Sequence, residues 1–168
     1  MDERIKLLFS SFKVDEYLFL LRHDNENNKI IFSILKSETE NFYNHTDVKK
    51  PNTDEDINGY FNGEKLFFDI FYKNEIVGVF DIDLKKLYLS YWVATKFHNL
   101  GIASRVLKKT SDEILHTGIS KVFVNIKEEN IASIRVAEKS GFVLSKRNIF
   151  EGNDVMLLFG KDIPILGK

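Results

Sequence analysis

The sequence contains no cysteine and only two prolines among its 168 residues. The lack of cysteine excludes a disulfide framework, a thiol nucleophile and thiolate metal sites, and it fits a reducing compartment. No apolar run reaches the ~20 residues that a membrane-spanning helix needs. The first residues also lack the layout of a signal peptide. We therefore expect a single cytoplasmic domain that spans residues 1–168.

An excess of one charge sign is also missing, because 24 Lys and Arg stand against 25 Asp and Glu. The first 103 residues hold 13 basic and 17 acidic side chains, whereas residues 104–150 hold 9 and 5. This division suits an anionic cofactor on the basic side and a cationic substrate on the acidic side. Ordinary surface charge explains so small an imbalance equally well. No basic stripe with interleaved aromatic residues is present, so a specific nucleic-acid partner is not predicted.

What the chain has in quantity is apolar residues, at 43% of the total, with 15 phenylalanines to fill a core. Their spacing predicts an alternation of strands and helices. Strands are expected at residues 4–10, 65–72, 75–83, 87–93, 121–126, 142–146 and 154–160. Helices are expected at 14–22, 29–43, 53–61, 102–116 and 130–140. The segment at 14–22 is so densely apolar that a strand is the alternative there.

The order of these elements predicts the topology of the sheet. Short turns join the strands at 65–72, 75–83 and 87–93, which makes them an antiparallel meander. A helix then separates strand 87–93 from strand 121–126. Such a crossover makes the two strands parallel neighbours inside an otherwise antiparallel sheet. The predicted class is therefore a mixed α+β domain.

A small-residue loop joins the strand at 87–93 to the helix that follows it. Asn99 and Gly101 interrupt the strand pattern, and the helical period begins at Ile102. A loop that enters a helix in this way presents backbone N–H groups at the positive end of the helix dipole, where phosphate binds readily. We expect this loop to hold the pyrophosphate of a nucleotide-like cofactor.

Two motifs in the right order resemble those of the GNAT superfamily of N-acetyltransferases. Residues 98–103, His-Asn-Leu-Gly-Ile-Ala, match the family's Gln/Arg-x-x-Gly-x-Gly/Ala loop, with His98 in place of the usual Gln or Arg. Residues 130–133, Asn-Ile-Ala-Ser, and 138–142, Glu-Lys-Ser-Gly-Phe, match the family's Asn-x-x-Ser and Glu-Lys-x-Gly-Phe block. Residues 91–93, Tyr-Trp-Val, are most similar to the branch of RimJ- and RimL-like ribosomal-protein N-terminal acetyltransferases.

The resemblance implies a fold with a mostly antiparallel sheet of six to seven strands, one splayed parallel pair and about four flanking helices. It implies acetyl-CoA as a co-substrate, no metal, and direct transfer of the acetyl group to a primary amine of a protein N-terminus or a small molecule. Homodimers are common in the family, so a homodimer is one expected state. The alternative is a catalytically degenerate GNAT domain that binds acyl-CoA as a sensor or scaffold.

The family's cofactor contacts carry over to eleven positions. The exposed edge of the strand before the loop pairs with the pantetheine arm, and the loop holds the pyrophosphate. For the arm these positions are Trp92, Val93, Ala94 and Asn130. For the loop they are His98, Asn99, Leu100, Gly101, Ile102, Ala103 and Ser104. Asn130 serves equally well as a simple helix cap.

The catalytic groups are less well specified by the motifs. The family's usual proton-donating Tyr is replaced by Ala137, which leaves Ser133 as the expected donor to the thiolate. A first-turn capping role for Ser133 is the equal alternative. Tyr88 occupies the place of a Glu found in the related branch, and either Asp81 or Asp83 on the neighbouring strand can act as a base through water. A solvent-facing carboxylate near a turn is the simpler reading of Asp81.

Overall fold

The structure is a computed structural model that describes residues 9–163, in which one sheet of eight strands is flanked by five α-helices. The strands are β1 (Ser11–Lys13), β2 (Leu18–Arg22), β3 (Lys65–Tyr72), β4 (Glu75–Asp83), β5 (Tyr88–Val93), β6 (Lys121–Lys127), β7 (Val143–Ile149) and β8 (Val155–Asp162). The helices are α1 (Asn28–Lys36), α2 (Glu40–Asn44), α3 (Asp54–Tyr60), α4 (Ile102–Leu115) and α5 (Ile131–Lys139).

The strands lie in the order β1-β2-β3-β4-β5-β6-β8-β7, and every neighbouring pair is antiparallel except β5 and β6. The predicted α+β class, the meander and the parallel crossover are therefore confirmed. Eight strands and five helices slightly exceed the six to seven strands and about four helices that the resemblance implied. Among residues 9–163, every helix falls short of the length and apolar character that a membrane-spanning helix requires.

The predicted helix at residues 14–22 is wrong, and its strand alternative is right. Leu18 and Leu20 are fully buried, whereas Leu21 is exposed, so burial there follows the two-residue period of a strand. The Asp15 carboxylate accepts hydrogen bonds from the backbone N–H groups of Tyr17 and Leu18, which turns the chain from β1 into β2. The predicted strand at residues 4–10 lies mostly outside the described residues.

The single helix predicted at residues 29–43 is instead two helices, α1 and α2. α1 ends at Lys36, where the Ser37 hydroxyl donates back to the carbonyl oxygens of the last turn. Thr39 then caps α2, because its hydroxyl accepts a hydrogen bond from the Phe42 N–H. The break leaves Glu38 free to reach the chain just after β5, where its carboxylate accepts from the N–H and the hydroxyl of Thr95 at 2.9 and 2.7 Å.

Side chains that alternate along the central strands fill two separate cores, one on each face of the sheet. Phe80 and Val93 belong to the core packed under α4 and α5. Val79 and Trp92, their neighbours in the chain, belong to the core packed under α1, α2 and α3. The two faces of β4 and β5 are therefore covered by different helices, and any opening between β5 and β6 connects the two sides.

A buried polar network anchors the helices of the second core to the sheet. His23 is bonded through both ring nitrogens, Nδ1 to the Asp69 carboxylate and Nε2 to the Asn28 side-chain oxygen, each at 2.7 Å. Asn27 donates to the second Asp69 oxygen at 3.0 Å. The Phe61 ring stacks on His23 with a centroid separation of 3.5 Å. This network joins β3 to α1 and to the end of α3, far from either motif.

Replacing Asp69 with Ala should lower the free energy of unfolding by about 3–5 kcal/mol, because it removes one partner of a buried pair. The matched control is Glu113→Ala, which breaks the exposed pair with Lys109 on α4 and should cost less than about 0.5 kcal/mol. Urea unfolding at neutral pH measures both. A similar small loss for the two variants would contradict the structural role of the network.

Candidate functional site

The parallel strands β5 and β6 separate almost as soon as they meet. Among residues 9–163 their pairing is limited to Tyr88 with Phe123, supported by a hydrogen bond from the Phe123 N–H to the Leu87 carbonyl at 3.0 Å. Beyond this point β5 stays paired with β4 up to Gly78 and Val93. A Cβ built on Gly78 would lie 2.1 Å from a backbone oxygen of β5, so only glycine permits the close approach of these two strands.

The direction of the backbone groups along β5 shows which of them face the opening. The N–H and C=O of one residue point to the same side of an extended strand, and the side alternates from residue to residue. The Leu87 carbonyl, just before β5, bonds toward β6, whereas the Ala94 N–H bonds toward β4 and donates to the Val77 carbonyl at 2.8 Å. The N–H of Val93 therefore points into the opening, and the N–H of Ala94 is already occupied.

The glycine loop lies directly after this open strand end, as the motif predicts. Asn99 and Gly101 both have positive φ, at 66° and 72°, and Gly101 immediately precedes the first turn of α4. The conformation is natural for glycine and tolerated by asparagine. α4 is 14 residues long, so its N-terminus carries a full set of unpaired N–H groups and the positive end of the dipole.

Arg105, which sequence reasoning missed, fixes the orientation of the loop peptides. Its guanidinium donates to the carbonyl oxygens of Leu100 and Gly101 at 3.1 and 3.3 Å and forms an ion pair with Asp15. A trans peptide points its N–H away from its C=O. The N–H groups of Gly101 and Ile102 are therefore turned to the opposite face of the loop, where they are available to an anion.

The other predicted loop residues take different positions. The His98 ring does not reach out of the loop: its Nε2 lies 2.7 Å from the Val93 carbonyl oxygen and ties the loop back to β5. Ile102 is buried in the core, and Leu100 is exposed. Ala103 packs against the core beside it, and the Ser104 carbonyl accepts a hydrogen bond from the Ser140 hydroxyl at 3.3 Å. Of these residues, Leu100, Ile102 and Ala103 can contribute only backbone groups to anion binding.

A cavity of about 390 Å³ occupies the opening between β5 and β6 and reaches both sides of the sheet. Three of its lining side chains, Thr46, Asp81 and Tyr91, each bury an oxygen atom that has no hydrogen-bond partner. No other residue in the range 9–163 buries an unpartnered side-chain polar atom. Buried polar groups are nearly always paired in native proteins, so this concentration makes the cavity the candidate site.

Asp81 is the buried acidic group of the cavity. It lies opposite Ser90 in the β4–β5 ladder, and its nearest cation is the Lys65 ammonium, 3.5 Å from Oδ1. Burial raises the pKa of the Asp81 carboxyl to about 6, although the Lys65 charge opposes the shift. A carboxylate with this pKa is ionised at neutral pH and can still accept and release a proton. The simpler reading of Asp81 as a solvent-facing carboxylate is wrong, because only 6% of its surface is exposed.

Tyr91 and Ser133 meet on the opposite side of the sheet, under the first turn of α5. Burial raises the pKa of the Tyr91 hydroxyl to about 12, and the nearby Ser133 side chain opposes this shift only in part. Their contact falls short of a well-formed hydrogen bond, so the Tyr91 oxygen stays unpartnered. The capping contact of Ser133 uses its backbone, since its N–H donates to the Asn130 side chain at 3.2 Å.

Asn130 and Trp92 hold the walls of the cavity. Besides capping α5, the Asn130 amide donates to the His45 carbonyl at 3.3 Å, which fastens residues 45–48 over the opening. The indole N–H of Trp92 donates to the Tyr60 hydroxyl at 3.1 Å. Of the predicted catalytic residues, Asp81 and Ser133 line the cavity, but Tyr88 does not: its ring contacts Phe123 where the two strands still pair.

Comparison with known proteins decides the family. A model described as an acetyltransferase (GNAT) domain matches residues 17–143, which is most of the chain. The chain belongs to the GNAT acetyltransferase family. No curated protein sequence gives a significant match.

Solved structures of GNAT proteins share the fold closely. One is RimL, a ribosomal L7/L12 α-N-protein acetyltransferase in complex with coenzyme A, with a TM-score of 0.80 and 20% identity over 91% of this chain and 98% of its own. Another is the microcin C7 self-immunity acetyltransferase MccE, in complex with acetyl-CoA and AMP, with a TM-score of 0.80 and 21% identity over 95% and 99%. A third, from Salmonella typhimurium, modifies the N-terminal serine of ribosomal protein L7/L12 and has a TM-score of 0.77 and 20% identity over 92% and 99%.

Replacing Gly101 with Glu should abolish acetyl-CoA binding, because a side chain is strained at this positive φ and its carboxylate would lie beside Arg105, where it competes with the loop carbonyls whose contacts orient the N–H groups. Gly152→Glu is the matched control: Gly152 also has positive φ, at 80°, and open space around it, but it lies in the turn between β7 and β8. Titration calorimetry should show binding in the control alone. Equal affinities in the two variants would refute this position for the pyrophosphate.

Proposed function

We propose that this protein is an acetyl-CoA-dependent N-acetyltransferase that transfers the acetyl group directly to a primary amine. The observation that carries the proposal is the open edge of β5, which leads from the glycine loop into a cavity lined by unpartnered polar groups. Acetyl-CoA supplies the activated acetyl group as a thioester. The protein supplies its binding, its orientation and the groups that move charge.

The glycine loop and the open edge of β5 suit two different parts of acetyl-CoA. The N–H groups of Gly101 and Ile102 in the loop are oriented so that they can donate to an anion such as a pyrophosphate. The edge of β5 at Val93 offers an unpaired N–H to an extended pantetheine arm, in the manner of an added strand. The Val93 carbonyl is held by His98 in this structure, so the arm would exchange with the imidazole for that acceptor. Asn130 lies across the opening, within reach of the same path.

The Val93 N–H is the backbone donor that fits the developing charge on the acetyl oxygen. The Ala94 N–H is bonded to Val77 and is excluded from this role. A preorganised N–H that is already held in position by the strand stabilises an oxyanion more strongly than mobile water would. Val93 is therefore the proposed oxyanion donor.

Asp81 is the proposed base. It lies on the side of the sheet covered by α1, α2 and α3, across the opening from Tyr91 and Ser133. An amine that enters from this side would lose its proton to the Asp81 carboxylate through a water molecule, since the amine must be neutral to attack. The buried Oδ1 atom has the Lys65 ammonium at 3.5 Å but no well-formed hydrogen bond, so it can accept one from that water.

The acceptor is an amine on either a peptide N-terminus or a small molecule. The RimL-like neighbours modify a ribosomal-protein N-terminus, and the MccE structure holds AMP beside acetyl-CoA. Acidic side chains near the cavity, Asp47 and Asp81 among them, favour a cationic acceptor. A homodimer stays a prediction.

Incubation with acetyl-CoA and a panel of amines, with free CoA followed by a thiol reagent, tests the function. The panel should include N-terminal peptides that begin with Ser or Ala, polyamines, aminoglycosides and aminoacyl nucleotides. Release of CoA that depends on an amine, with a matching acetylated product by mass spectrometry, is the expected result. Tight binding of acetyl-CoA without release on any amine would instead support an acyl-CoA sensor.

Asp81→Asn should lower kcat by about 10²- to 10⁴-fold, the contribution of a general base. In the wild-type protein, kcat should rise with pH through about 6, as the Asp81 carboxyl ionises. The variant should lose that rise. An unchanged pH profile in the variant would exclude Asp81 as the base.

The same substitution should raise stability at neutral pH. The folded-state pKa of Asp81, about 6, lies above the value of 3.8 for a free carboxyl. The protonated group therefore favours folding below about pH 4, and this contribution is lost as the pH rises through 6. Asn stays neutral at every pH, so the variant does not lose this stability as the pH rises. Thermal unfolding at pH 4 and pH 7 measures both proteins. The melting temperature of the variant should exceed that of the wild type by more at pH 7 than at pH 4.

A further inference from the structure

Tyr91 is a residue for which neither motif provides a role, yet its hydroxyl is among the least satisfied polar groups of the molecule. The oxygen is buried and unpartnered, and it lines the cavity between β5 and β6. Its ring packs against the core under α4 and α5, which fixes its direction. A buried hydroxyl without a partner costs stability, so Phe would serve this position better if packing were its only task.

The Tyr91 hydroxyl and the Asp81 carboxylate, which is the proposed base, lie on opposite sides of the sheet. Tyr91 and Val93 share one face of β5, toward α4 and α5, whereas Ser90 and Trp92 face the side of Asp81. The cavity crosses the sheet between these two groups. The acetyl group must lie between them, with the amine on the Asp81 side and the leaving sulfur on the Tyr91 side.

We infer that the Tyr91 hydroxyl donates a hydrogen bond to the thioester sulfur as the carbon–sulfur bond breaks, with the Ser133 hydroxyl beside it as a second donor. The inference rests on the proposed function. It also explains how the chain can lack the family's usual Tyr at position 137. Ala137 is completely buried in the core, so the middle of α5 offers no proton donor to the cavity, and Tyr91 supplies the hydroxyl instead.

The electrons and protons balance as follows. The amine nitrogen forms a bond to the acetyl carbon, and the pair of the broken carbon–sulfur bond stays on sulfur. The ammonium group first loses one proton through water to Asp81, which passes it to solvent, and the nitrogen loses its second proton to Asp81 by the same route once the bond has formed. Tyr91 stabilises the sulfur anion by hydrogen bonding and keeps its own proton, as the pKa of about 12 for its hydroxyl requires. The thiolate of CoA takes its proton from solvent, and Asp81 releases one.

A binding cycle tests the contact without any turnover. Wild-type protein and Tyr91→Phe are each titrated with CoA and with desulfo-CoA, which lacks the sulfur, at a pH where the thiol is partly ionised. We expect the wild type to bind CoA about 10-fold more tightly than desulfo-CoA, the ratio that one hydrogen bond to a charged group provides. In Tyr91→Phe this ratio should fall to a few-fold, because Ser133 still donates, and in the Tyr91→Phe/Ser133→Ala double variant the two ligands should bind equally. Tyr17→Phe, at an exposed tyrosine in the β1–β2 turn, should behave as the wild type does.

Turnover and unfolding complete the test. Tyr91→Phe should lower kcat by about 10- to 100-fold with little change in acetyl-CoA affinity, while its melting temperature equals or exceeds that of the wild type. Ser133→Ala should lower kcat less, and the double variant should lose less than the product of the two, because both donors act on one atom.

The two hypotheses fail in different ways. If the wild type binds neither CoA nor desulfo-CoA, the proposed function itself is wrong. If it binds CoA and transfers acetyl groups, but the ratio of the two affinities is the same in Tyr91→Phe, the contact between Tyr91 and sulfur is refuted. A Tyr91→Phe variant that melts well below the wild type would also overturn it, because the hydroxyl would then be a structural group.

Discussion

The whole site depends on how β5 leaves β6. Two parallel strands that start together at Tyr88 and Phe123 part within one residue pair, because β5 follows β4 instead. Gly78 makes this possible, since any side chain there would collide with the β5 backbone. The opening exposes one edge of a central strand in the interior of the sheet, where an unpaired edge is normally unfavourable.

The opening lowers the stability of the fold through a small number of buried polar side chains. The chain leaves Thr46, Asp81 and Tyr91 with buried, unpartnered oxygens along the cavity, and it surrounds them with contacts that hold their places. Glu38 fixes the chain after β5, and Asn130 fixes residues 45–48 over the opening. These polar groups lower the stability of the fold, yet the surrounding contacts hold them in fixed positions. This is the pattern expected of a preorganised site.

Much of the fold is predictable because it is encoded locally. β3 and β4 begin and end where the alternation of side chains indicates, and Thr53 and Asp56 form the capping box that opens α3. The glycine loop is predictable because Gly101 needs its positive φ. The error at residues 14–22 arose because a run of Leu and Phe fits a helix and a strand equally well until its neighbours are known.

The features of the site that the sequence did not predict, such as the burial of the candidate base Asp81, are those that depend on contacts between distant residues. Asp81 resembles a surface carboxylate until α3 and residues 45–48 cover it. Tyr91 resembles a core aromatic until the strands separate beside its hydroxyl. The bond between Arg105 and Asp15 spans 90 positions in the chain. No local spacing records such a pairing, so these roles emerge only in three dimensions.

Arg105 also links the glycine loop to the edge of the sheet. One guanidinium holds the carbonyls of Leu100 and Gly101 and the carboxylate that turns β1 into β2. Opening of that edge hairpin would release the ion pair and loosen the grip on the loop peptides. The local unfolding equilibrium of the hairpin therefore sets how much of the time the loop is ordered. By linkage, a ligand held by the loop must in turn protect the amide hydrogens of β1 and β2 from exchange with solvent.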